Sequence, residues 1–281
     1  MLTNGCASGN NAEPVDNREA AEKSARPAPA ADETEEERWA RLRKEMVETQ
    51  IQARGITNER VLQAMLKVPR HLFVPEAWRD SAYGDWALPI GEGQTISQPY
   101  IVAFMTHAID PSPKQRVLDV GTGSGYQAAV LAEIVQEVYT IEINPVLAAR
   151  ARDLLTRLGY RNIFFRVGDG WLGWPEAAPF DGIVVAAAAP EVPPALIEQL
   201  APGGQLVMPV GGDFFQHLVR VVKERDGSVH REIVLPDVRF VPLIKTIESE
   251  KQKGDAEREK ETGDEEHPGQ DQEKAEDGDV G

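Results

Sequence analysis

Residues 116–126, RVLDVGTGSGY, decide the fold. A short apolar run ends in a turn with glycine at every second position, and a helical pattern follows over 125–135. Gly121, Gly123 and Gly125 let the backbone turn tightly and come close to a ligand. Free N–H groups at the start of the following helix point to the same place. Taken alone, a glycine-rich turn is also a plain strand-to-helix connection, so its surroundings carry the argument.

Outward from that turn the same alternation continues. A helix at 100–109 precedes the strand at 116–121, and a strand at 137–143 follows the helix at 125–135. A helix at 145–158 leads to a strand at 162–169, then come a strand at 181–188, a helix at 193–200 and a strand at 205–211. Apolar strands alternating with helices imply a doubly wound α/β fold, with a mostly parallel sheet covered on both faces. Strand 218–224 and a final pair around 229–244 depart from this, because the turn Arg225-Asp226-Gly227 predicts antiparallel pairing. Toward the N-terminus, Trp39, Leu42, Met46 and Ile51 predict a helix ending at Arg54-Gly55. Val61, Leu62, Met65 and Leu66 predict a second helix, from about Asn58 to Pro69. The stretch up to Pro99 is long for a loop, yet it holds Phe73, Trp78, Tyr83, Trp86 and Ile90. That is too apolar for disorder, so a packed, functional segment is expected.

Two acids extend the reading of the glycine turn. Glu142 lies 21 residues after Gly121, at the end of the next strand, where a carboxylate can accept both hydroxyls of a ribose. Asp169, between Gly168 and Gly170 after the third strand, can accept from an adenine amino group. Ile143 beside Glu142, and Thr122 and Ser124 between the glycines, complete the expected contacts. Three consecutive strand ends thus describe one adenosyl pocket. A dinucleotide fold usually reads GxGxxG, but here the third glycine's position is Tyr126. Asp119 would repel a pyrophosphate and favour an ammonium or sulfonium. S-adenosylmethionine is therefore the favoured cofactor, with NAD as the rival.

Composition narrows the classes. Hydrophobic residues make up 41%, enough for a sizeable core. The net charge of −16 belongs to the ends: residues 1–37 carry nine acids against three bases, and residues 247–281 carry fourteen against five. The body is nearly neutral and lacks the basic footprint of a nucleic-acid binder. Residues 1–34 read as a disordered arm, 35–248 as the folded domain, with 35–99 its helical and substrate part and 100–248 its cofactor sheet, and 249–281 as a disordered acidic tail. Cys6 is the only cysteine, so no intramolecular disulfide is possible, and a cytoplasmic monomer is expected. No apolar run approaches the ~20 residues that span a bilayer. The string NGCAS at 4–8 loosely resembles the cleavage end of a lipoprotein signal, which would matter only if the chain began upstream.

Several segments, spanning about residues 38–246, look like the protein-L-isoaspartate O-methyltransferase family. VLDVGTGSGYQAAVLAE (117–133) is shared widely among methyltransferases of this fold. GDGW (168–171), the string at 179–211 and RFVPL (239–243) also match. VPRHLFVP (68–75) and above all GQTISQPYIVA (93–103) are more specific. The resemblance implies a seven-stranded Rossmann-like methyltransferase sheet with an antiparallel last strand and an N-terminal helical extension. It implies transfer of a methyl group from S-adenosylmethionine to the α-carboxylate of L-isoaspartyl, and secondarily D-aspartyl, residues in damaged proteins. Ser97 would then hold the substrate carboxylate beside the methyl donor, with Thr95, Ile96 and Gln98 lining the passage. The competing reading of Ser97 is a helix N-cap ahead of Pro99. Val241, Pro242 and Leu243 would return to the substrate, or else form an ordinary edge strand. No metal cluster and no acid–base pair is expected, because a carboxylate is already anionic at neutral pH. The five histidines, His71, His107, His217, His230 and His267, receive no catalytic role. A methyltransferase with another acceptor, an NAD-dependent oxidoreductase and a non-catalytic cofactor binder remain as alternatives.

Overall fold

The computed structural model describes residues 33–212 and 215–246. The arm and the tail expected at the two ends lie outside the described residues, apart from Glu33 and Thr34.

Helix α1 (Glu35–Glu45) opens with a capping box, in which the Thr34 hydroxyl accepts from the Glu37 amide while the Glu37 carboxylate reaches back. It then widens into a π-helical turn at Met46–Ile51, tightens at Gln52–Arg54 and stops at Gly55, where φ is +93°. The sequence predicts a single helix here. Met46 and Ile51, both fully buried, are five residues apart. That spacing places them about 140° apart around an α-helix, and the wider π turn brings them to one side. Helix α2 (Glu59–Lys67) is capped by the Asn58 side chain and ends ahead of Pro69.

The segment from 70 to 98 is packed, as its aromatic residues predict: Phe73, Tyr83 and Ile90 are buried. It contains short 3₁₀ turns and a small antiparallel hairpin, β1 (Leu88–Gly91) with β2 (Gln94–Ile96). The hairpin is not predicted, because strands of four and three residues are too short to show a period. Helix α3 (Pro99–Ala108) follows directly.

The alternation beyond α3 gives β3 (Arg116–Val120), α4 (Tyr126–Ala132), β4 (Glu137–Glu142), α5 (Pro145–Arg157) and β5 (Ile163–Val167). Then come β6 (Phe180–Val185), α6 (Pro194–Glu198), β7 (Leu200–Gly211), β8 (Gln216–Lys223) and β9 (Val229–Val238). The seven-stranded sheet has the order β5-β4-β3-β6-β7-β8-β9. Strands β3 to β7 run parallel, while β8 is antiparallel to both β7 and β9. The expected antiparallel end is therefore present and involves two pairings. Only β9 forms from the final pair expected around 229–244. Near its end Asp237 takes φ +53°, and the chain then leaves the edge to bridge Ala188 through Pro242.

Each sheet face has its own core. Met65, Phe73, Met105 and Tyr126 gather on the side of the N-terminal helices. Phe180, Ile183, Leu196 and Met208 gather on the other. Strand β3 lies between β4 and β6, so the strand order reverses at its end. In open α/β sheets that point opens the crevice where ligands bind. Among the described residues no helix is long and apolar enough to cross a membrane.

Candidate active site

The crevice is lined by the ends of β3, β4 and β6, by the segment after β1 and by the returning chain at 241–244. Gly121, Thr122, Gly123 and Ser124 form one wall. The loop needs its glycines for two reasons. Gly123 has φ +52°, a conformation few side chains adopt. Gly125 has φ +86°, and a Cβ there would come within 2.9 Å of Leu155 on α5. Gly125 thus lets loop and helix pack closely, the service given elsewhere by the third glycine of a dinucleotide motif.

Glu142 is buried and braces the loop. One of its oxygens accepts the Gly123 amide at 2.8 Å, and the other accepts the Asn144 amide at 2.9 Å. Each oxygen keeps a second lone pair, and the side chain lines the crevice beside Ile143. Thr95, Ile96, Ser97 and Gly170 line it too. The apolar wall comes from Val102, Met105, Ile141, Leu243 and Ile244 among others. Leu243 and Ile244 are tied in by backbone: the Leu243 amide donates to the Ala188 carbonyl at 2.7 Å, and the Trp171 indole donates to the Leu243 carbonyl at 3.0 Å. Ile244 was not singled out from sequence, and no local pattern marks a chain end that folds back across the sheet. Val102 and Met105 fall in the helix expected at 100–109, where nothing local marks them as crevice residues.

Four expected contacts do not line this crevice. Gln98 lines not this crevice but an adjoining trough with Arg54, Val238 and Phe240. Gly168 and Asp169 border a neighbouring depression beside Thr246. There one Asp169 oxygen accepts the Trp171 amide, and the other accepts both the Thr246 amide and hydroxyl, at 2.7 and 2.8 Å. Asp119, expected to favour an ammonium or sulfonium, does not line the crevice. It is completely buried beneath the loop, and its carboxylate accepts the Thr140 hydroxyl at 2.8 Å. The register pairs Asp119 with Thr140, and side chains alternate along a strand, so Val120 reaches the crevice while Asp119 points away.

Asp119's other oxygen has no hydrogen-bond partner among the described residues. Burial pushes its pKa up to about 7, with the Glu142 charge adding and the Thr140 bond opposing. A raised folded-state pKa means that the folded protein holds a proton the unfolded chain has released. Stability from this group therefore falls as pH rises from about 4 to about 7. Asp119→Asn should remove that loss and raise stability at pH 8 by on the order of 2 kcal/mol, with little change at pH 4. Urea unfolding at the two pH values measures it, and a constant difference between variant and parent would refute it.

The trough and the crevice meet. Thr95, Ser97, Ala186, Val241 and Pro242 line both. The cap of α3 is Gln98, without a side-chain bond, so Ser97 is not the helix N-cap. Its hydroxyl makes no hydrogen bond to another described residue. Val241 and Pro242 serve both readings made of them, since they bridge Ala188 as a strand would and also line the junction.

A glycine loop at the switch point, a carboxylate at the next strand end and an antiparallel sheet end define a Rossmann-like, S-adenosylmethionine-dependent methyltransferase. Comparison with known proteins agrees. A family model described as Protein-L-isoaspartate(D-aspartate) O-methyltransferase matches residues 41–248. The protein-L-isoaspartate O-methyltransferase of Geobacter metallireducens is 56% identical over 202 residues, 72% of this chain and 93% of that protein. The namesake from Desulfosudis oleivorans is 56% identical over 212 residues, 75% of this chain and 95% of that protein. A Plasmodium falciparum crystal structure, described as a protein-L-isoaspartate O-methyltransferase in complex with S-adenosyl-L-homocysteine, is 28% identical with a TM-score of 0.63. That match covers 73% of this chain and 99% of that one. The chain belongs to the protein-L-isoaspartate(D-aspartate) O-methyltransferase family.

Proposed function

We propose that this chain methylates the free α-carboxylate of L-isoaspartyl residues in damaged proteins, and D-aspartyl residues secondarily, and that the substrate meets the cofactor at Ser97. The observation that carries this is the junction of crevice and trough at Ser97. One ligand can enter from each side, and the two meet there.

The crevice fits S-adenosylmethionine, which when bound supplies a methyl group already activated on a sulfonium. The glycine loop presents backbone amides, Glu142 offers lone pairs to ribose hydroxyls, and Val120, Ile141 and Leu243 offer apolar walls to an adenine. Asp169, just after β5 and beside Gly170, is the residue proposed to take the adenine amino group. The chain's remaining task is alignment. The Ser97 hydroxyl would donate to one carboxylate oxygen and hold the other toward the methyl group that bound S-adenosylmethionine would supply. No proton moves, so no general base is needed. The products are the methyl ester and S-adenosylhomocysteine, and the ester then closes to a succinimide whose hydrolysis returns some normal aspartate. None of the described histidines lines the crevice, and His71 stacks instead on Trp39 at 4.6 Å.

The nearly neutral body suits varied protein substrates and offers no footprint for nucleic acid. We place the work in the cytoplasm, carried out by a monomer. Incubation with radiolabelled S-adenosylmethionine and peptides differing only in Asp or isoAsp tests the assignment. Label should enter the isoAsp peptide alone. Equal labelling of both would end the repair reading.

A further inference from the structure

Arg70, from the VPRHLFVP segment, has no exposed surface. Its hydrogen bonds go to two carbonyls rather than to a carboxylate, with the Tyr126 ring beside it and the Asp85 charge acting on it. Nε donates to the Ala82 carbonyl at 2.7 Å, and one terminal nitrogen, Nη2, donates to the Ser97 carbonyl at 2.7 Å. The guanidinium carbon lies 4.8 Å from the centre of the Tyr126 ring. The other terminal nitrogen, Nη1, is buried without a hydrogen-bond partner among the described residues. Taking a cation out of water costs several kcal/mol even after relaxation, and carbonyls offset that only in part. Stability alone is a poor reason for a guanidinium here.

Its placement gives a better one. Ser97 belongs to the segment between β2 and α3, on the substrate side. Tyr126 is the first residue of α4, directly behind the glycine loop. Phe73, from the same segment as Arg70, packs edge-on against Tyr126 at 5.4 Å. One planar group therefore holds the Ser97 peptide at a fixed place relative to the start of the cofactor helix. The carbonyl and the hydroxyl of Ser97 share one Cα, so fixing the first restricts the second.

We propose that Arg70 is a positioning residue for methyl transfer, setting where the Ser97 hydroxyl stands relative to the cofactor loop. This rests on Ser97 being the residue that holds the substrate carboxylate. In-line transfer tolerates little displacement, since a misplacement of about 1 Å can cost on the order of 100-fold in rate. Lysine cannot substitute, because a point charge on a flexible stem lacks the two fixed hydrogen-bond directions used here.

The test uses Arg70→Lys, Arg70→Met, Ser97→Ala and the Arg70→Lys/Ser97→Ala double variant of the full chain. S-adenosylhomocysteine titration counts competent sites in each, and kcat on an isoaspartyl peptide is expressed per competent site. Arg70→Lys and Arg70→Met should each lower kcat about tenfold while S-adenosylhomocysteine affinity stays within about twofold. In the Ser97→Ala background the same lysine change should cost less than about twofold, because residues acting as a unit are not additive. Unchanged kcat in both single variants, with or without a lower melting temperature, overturns the inference, as does a full tenfold loss retained in the alanine background. Loss of S-adenosylhomocysteine binding by both single variants would make Arg70 a residue of the fold alone and also overturns it. Normal turnover by Ser97→Ala removes the Ser97 assignment and with it the role given to Arg70, an outcome distinct from failure of the Arg70 variants while Ser97→Ala is impaired.

Discussion

Ser97→Ala should lower kcat on an isoaspartyl peptide by about 100-fold while S-adenosylhomocysteine affinity stays within about twofold. A hydrogen bond to a charged group contributes about 1.5–3 kcal/mol, and here it would also set the angle of attack. The substitution removes only the hydroxyl. The Ser97 carbonyl still accepts from Arg70, and α3 keeps its cap at Gln98, so the fold has no reason to change. Single-turnover methylation at saturating cofactor gives the number directly. A variant that turns over like the parent would leave the junction without its key residue.

Glu142→Gln should weaken S-adenosylhomocysteine binding by about 100-fold. Both carboxylate oxygens already accept backbone amides, from Gly123 and from Asn144. Glutamine keeps the size but replaces one oxygen with a donor, which must then face one of those N–H groups. The loop loses a brace, and the ribose loses a charged acceptor. Because this damage lies in cofactor binding, kcat at saturating cofactor should change far less than the dissociation constant. Calorimetric titration of S-adenosylhomocysteine measures the shift, and an unaltered dissociation constant would exclude Glu142 from the pocket.

The two substitutions separate what was legible early from what was not. Glu142 could be found without any relative, because its distance from Gly121 and its place at a strand end have a physical meaning. Ser97 could not: a serine two residues before a proline suits an N-cap as well as an active site. Its segment drew notice through family resemblance, and only the fold showed that Gln98 takes the cap. The burial of Asp119 was not legible in the sequence. Strand alternation shows that Asp119 and Val120 face opposite ways, but nothing local shows which face meets the ligand. Arg70 gave no sign of burial, since arginine is usually exposed.

By itself the sequence determined the alternating α/β architecture, the glycine turn at β3 and the acids at the next strand ends. These are local facts, because backbone freedom, hydrophobic period and strand length act over a few residues. Tertiary structure alone decided that Asp119 lies beneath the loop, that residues 241–244 return to close the crevice, and that Arg70 links Ser97 to the cofactor helix. Those facts join residues far apart in the chain, and no local propensity encodes such a meeting.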